Sequence, residues 1–186
     1  SIHQVLYWAR RPDATEHLFL FVFAASLGVM FLMWEPQLRH ALSPSIDWYR
    51  LYLLFAGTAA AFFCFAFRRL FEVEFGRVVW GLGVVSAVIG VSALLLPGWS
   101  ELRFIGTHVF NPLVLVMCVL AAVLLVQQVR RGVEHAKALL WGLAIIGVTV
   151  MHDVAAEWGL LDSRGGVLWT HVGAVAFVTS LAYVTA

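Results

Sequence analysis

His152, Asp153 and Glu157 in MHDVAAEW, and His171 in VLWTHVG, interrupt a stretch of chain that otherwise avoids ionisable side chains. At membrane depth such groups cost about 2.5–3.5 kcal/mol each on insertion scales, so they read as working residues with partners. Asp153 and Glu157 are four apart and share one helix face. With the two imidazoles they form a set able to bind a cation, hold a proton or contact a polar ligand. The bland alternative is the wet, frayed end of a helix, with both carboxylates among lipid headgroups. Haem is a third reading, because neutral imidazoles at matching depth make axial ligands. His152 with His171 would then serve an outer haem b, and His17 with His135 an inner one. No metal ion or other cofactor is assigned, and no CxxCH attachment motif occurs.

The elements that must position these residues are membrane helices. Of the 186 residues, 62% are hydrophobic and only 12% charged, and the mean hydropathy is +0.89; soluble domains carry about twice that charge. The expected fold is an all-α polytopic transmembrane helix bundle, with six full spans and an N-terminal helical stub. The spans fall at about 17–34, 48–67, 78–96, 109–129, 134–156 and 165–186. They are bounded by Glu35-Pro36, Arg68-Arg69, Pro97-Gly98 and Arg130-Arg131-Gly132. Residues 1–12 are the stub, either the last turns of a preceding membrane helix or an interfacial helix with Tyr7 and Trp8 at headgroup level. Residues 13–186 form one transmembrane domain. The chain starts without Met and ends inside an apolar run, so it is expected to be a piece of a longer protein.

Arg10, Arg11, Arg68, Arg69, Arg77, Arg130, Arg131 and Lys137 fall on one side of this topology; Arg39, Arg50, Arg103 and Arg164 fall on the other. Eight against four places the first group, and the C-terminus, in the cytoplasm. His152 and His171 then lie toward the outer face, on antiparallel neighbours joined by a tight loop, while His17 and His135 lie near the inner face. Asn111-Pro112 is placed near the start of the fourth span, where proline is tolerated. Gly83 with Ala87 and Ser86 with Gly90 are small-xxx-small pairs that let another helix approach closely.

Several classes are excluded. A net charge of +1 gives no general attraction to nucleic acid. Lys137 is the only lysine and sits at the inner edge of its span, so a buried retinal Schiff base has no candidate. There is no HExxH, GxSxG or phosphate-cradling loop. Ser26, Ser86, Ser92 and Ser180 have no evident base, so the chain itself is not expected to be an enzyme. Cys64 and Cys118 lie in apolar runs as packing residues. A small transporter remains an alternative, although the two halves show no repeat of the usual kind.

Residues 130–182 carry a more specific pattern: Arg130-Arg131-Gly132, Ala136, Gly142, His152-Asp153, Gly159-Leu160-Leu161 and Gly173. This pattern resembles the end of the membrane domain in bacterial seven-transmembrane receptors with diverse intracellular signalling modules. His152 stands where that family typically carries Asn. LYWARRPDATEHLFLFVFAASLGVMF resembles the end of the family's first helix, an Arg-rich turn and the second helix. The resemblance implies that the six spans are the second to seventh and that Ser1–Arg11 is the stub of the first. It further implies a sensor in the bacterial inner membrane that relays a periplasmic or intramembrane signal, such as an unknown small ligand, to a C-terminal cytoplasmic output module in cis. A nucleotide cyclase, histidine kinase or phosphatase would fill that place, with a homodimer as the expected assembly. His152, Asp153, Glu157 and His171 are the expected ligand-binding or switch residues, and the alternative is a haem-binding redox sensor or electron-transfer protein.

Overall fold

The computed structural model describes residues 15–34, 47–71, 76–133, 136–161 and 170–185. All regular secondary structure among them is helical: α1 Thr15–Trp34, α2 Trp48–Phe71, α3 Gly76–Ser92, α4 Trp99–Phe104, a π-helical segment Ile105–Phe110, α5 Asn111–Arg130, α6 Ala136–Glu157 and α7 Thr170–Thr185. Long runs of Leu, Val, Ala and Phe cannot hydrogen-bond lipid, so the backbone must bond to itself, and a helix does this within one segment.

Trp48–Phe71, Trp99–Arg130 and Ala136–Ala156 are long and apolar enough to cross a membrane, while Leu18–Met30, Gly76–Ser92 and Val172–Leu181 are shorter apolar helices. Of the six expected full spans, three thus have that length among the described residues. The stub at 1–12, His135 and the expected start of the last span at 165 lie outside them.

Three boundaries differ from expectation: α2 runs through Arg68-Arg69 to Phe71 instead of ending at 67, and the other two lie at Pro97-Gly98 and Pro112. α3 stops at Ser92 in a turn over 93–95, ahead of Pro97-Gly98. The helix carrying Asn111-Pro112 begins at Trp99 and runs 32 residues to Arg130, so Pro112 lies inside it. Proline lacks an N–H, and its ring collides with the carbonyl four residues back, here that of His108. The π-helical widening falls on Ile105–Phe110, the residues that supply those carbonyls, and the helix passes Pro112 unbroken.

The chain folds as two compact units, Ser1–Gly106 and Thr107–Ala186. In the first, α2 packs against both α1 and α3. α1 buries Leu20, Phe23, Leu27 and Met30, spaced three and four apart along one stripe, and the Phe19 and Phe23 rings meet Phe62 and Phe63 at 5.8 Å. α3 buries Val79, Gly83, Ser86 and Gly90, so α2 is the partner of the small-residue stripe. A Cβ on Gly57 would lie 2.6 Å from the Ser86 carbonyl oxygen and 2.7 Å from the Gly90 Cα, whereas one on Gly28 would meet nothing within 4 Å. Gly57→Ala is therefore expected to lower the thermal midpoint of the solubilised protein, because backbone atoms cannot yield. Gly28→Ala should leave the midpoint unchanged or raise it; equal midpoints for the two variants would remove the close α2–α3 crossing.

In the second unit α6 packs against both α5 and α7. α5 buries Met117, Ala121, Leu124 and Gln128. α6 buries Ala136, Leu139, Leu143, Val150 and Val154, and with them Asp153.

Candidate functional site

Asp153 continues the buried stripe of α6: Leu139, Leu143, Val150 and Asp153 follow at spacings of four, seven and three, so helix period alone turns the carboxylate inward. Only 9% of Asp153 is exposed. Oδ2 accepts a hydrogen bond from the backbone N–H of Thr170, the first residue of α7, at 2.8 Å. The first N–H groups of a helix have no partner within it, and an anion there also meets the positive end of the helix dipole. Asp153 thus caps α7 from a neighbouring helix, by a charge-assisted bond that offsets the cost of burying the charge. Oδ1 lies 3.1 Å from Nδ1 of His152, whose side chain is 44% exposed. The pair has a buried end on α7 and an accessible end on the imidazole.

Small residues bring the two helices close enough for this. A Cβ on Gly142 would lie 2.8 Å from the Ser180 Cβ; one on Gly173 would lie 2.7 Å from the Ile146 Cα and collide with the Thr149 hydroxyl. Each glycine therefore receives a hydroxyl side chain of the opposite helix. Both hydroxyls bond back to their own helices, Thr149 to the Ile146 carbonyl and Ser180 to the Ala176 carbonyl, at 2.9 Å. As residue numbers rise along α7 from Thr170 to Ser180, their partners on α6 fall from Asp153 to Gly142, so the helices are antiparallel.

Turn glycines end the helices that lead into this pair. Gly132 and Gly159 have φ of 81° and 73°, a left-handed conformation that costs glycine little. Gly159 N–H bonds the Ala156 carbonyl and Leu160 N–H bonds that of Ala155; Gly132 and Val133 repeat the arrangement on Val129 and Gln128. These are the paired bonds of a Schellman stop. Just before Gly159, the Trp158 indole Nε1 donates to the Thr107 carbonyl at 3.4 Å.

Of the residues expected to work together, the structure joins His152 and Asp153. Glu157 is the last residue of α6 and His171 the second of α7, while His17 lies on α1; the side chains of these three lie outside the described residues, as does all of His135. Among the described residues no group of three or more His, Cys, Asp or Glu side chains converges on a common point. Sequence reasoning missed Thr170, Trp158 and Thr107. Thr170 contributes a backbone N–H, which no side-chain pattern marks. Thr107 likewise contributes a main-chain group, its carbonyl.

These features define a polytopic helical membrane protein whose last two described helices are tied at one end by a buried carboxylate. A family model described as 7TM diverse intracellular signalling matches residues 2–186, and the chain belongs to that family. Its role is accordingly membrane sensory signalling. No curated protein and no solved structure matches the chain.

Proposed function

We propose that the chain is the membrane sensory domain of a receptor, with its input switch at the joined ends of α6 and α7. The observation that carries this is the Asp153 carboxylate, which bonds the first N–H of α7 with one oxygen and the accessible His152 with the other. A polar ligand or a proton reaching His152 competes for Asp153 and so changes how firmly α7 is held. A ligand shifts such an equilibrium only by its differential affinity for the two arrangements. The excess of Lys and Arg on one side supports an outward-facing switch and a cytoplasmic C-terminal end of α7. There α7 would drive an output module such as a nucleotide cyclase, histidine kinase or phosphatase, in a homodimer in the bacterial inner membrane. Glu157 and His171, at the same ends of the two helices, complete the candidate ligand surface.

Asp153→Asn keeps the side-chain shape and an acceptor but removes the charge. In the full-length receptor it is expected to change output, basal or stimulated, at unchanged membrane insertion. Unchanged output across stimuli would overturn the switch. A Soret band in haem-supplied protein, lost in His152→Ala, would instead favour a haem sensor.

A further inference from the structure

We propose that Trp158 is a second positioning residue of this switch, holding the π-helical segment ahead of α5 in its widened form, so that the end of α6 acts on a helix at either side. The inference rests on reading the α6–α7 end as the switch. Trp158 follows Asp153 by five residues and stands immediately before Gly159, whose stop turn fixes where the indole emerges.

The bond it makes falls at a singular place. In a π-helix the carbonyl of residue i is bonded by the N–H of residue i+5. For Thr107 that residue is Pro112, which has no N–H, and the indole of Trp158 supplies a donor to the same carbonyl. In an α-helix the Thr107 carbonyl would instead take the N–H of Asn111. Two arrangements therefore compete for one acceptor, the π form aided by Trp158 and the α form by Asn111. Pro112 weights the balance toward the π form, because its ring opposes the His108 carbonyl in the α form. The Trp158 bond is long, at 3.4 Å, and exposed, so a modest movement of α6 withdraws the donor. A change at Asp153 then reaches α5 through Trp158 as well as α7 through Thr170.

The chain contains two Thr-His pairs, Thr107-His108 and Thr170-His171. Labelling Thr carbonyl carbons with ¹³C and His amide nitrogens with ¹⁵N in the nanodisc-embedded protein yields one correlated resonance for each, the first at the carbonyl that accepts from Trp158 and the second in the residue whose N–H bonds Asp153. Trp158→Phe should shift the Thr107-His108 resonance and leave Thr170-His171 in place. Asp153→Asn should shift both. In a Pro112→Ala background, where the α form is open, Trp158→Phe should no longer shift the first resonance. An equal shift in that background would mark a ring-current effect and overturn the proposal. So would an unmoved Thr107-His108 resonance in Trp158→Phe or in Asp153→Asn. Receptor output in Asp153→Asn separately tests the switch itself, so the two can fail independently.

Discussion

Gly173→Ala is expected to force α6 and α7 apart and to destabilise the protein markedly. The added methyl would lie 2.7 Å from the Ile146 Cα and against the Thr149 hydroxyl. Removing a helix glycine gains up to about 1 kcal/mol from propensity, whereas overpacking a contact that cannot yield costs about 1–3 kcal/mol. Here the obstacle is backbone, so the cost prevails. In lipid the penalty is not recovered by burying the methyl elsewhere, because helices associate there through close packing. Gly147→Ala is the matched control: it lies on the same helix as Ile146, and a Cβ there would meet nothing within 4 Å. Unfolding the two variants in mixed micelles should show Gly173→Ala less stable than wild type and Gly147→Ala equal or more stable. The reverse order would refute the close α6–α7 contact.

Asp153→Ala should loosen the start of α7 while leaving its far end intact. Losing a helix-capping side chain costs about 0.5–2 kcal/mol, and here the cap bridges two helices. Exchange of the Thr170 amide and of the first turn of α7 is expected to accelerate, with the exchange around Ser180 unchanged because Gly142 still receives that side chain. His152→Ala should have a smaller effect at Thr170, since the His152 contact is to Oδ1 whereas Thr170 bonds Oδ2. Unaltered exchange at Thr170 in Asp153→Ala would show that the carboxylate does not hold α7. The contrast with His152→Ala separates the buried half of the pair from its accessible half.

The motif that carried the family resemblance acquires a physical meaning residue by residue. Gly132 and Gly159 stop helices in left-handed turns, Gly142 and Gly173 admit hydroxyl side chains, Ala136 is fully buried, and Asp153 caps α7. Five of the six lie on α6, on α7 or in the turn that ends α6, and Gly132 stops α5, the helix before them.

What the sequence by itself determined was the membrane, the helical class, several helix ends and His152-Asp153 as candidates, because hydropathy, turn residues and misplaced charges are properties of local chain. It placed the start of α2 at Trp48 and the stop at Arg130-Arg131-Gly132. It could not place the start of the helix through Pro112, since a π-helical widening depends on how the backbone relieves one clash and leaves no compositional trace. Nor could it say which way any helix faces: apolar residues surround each of them, so periodicity does not separate a lipid-facing side from a packed one. Only the tertiary structure decided that Asp153 points at α7, that its partner is a main-chain N–H, and that Trp158 reaches back to Thr107. These contacts join residues 17 and 51 positions apart, and their geometry exists only once the helices are packed.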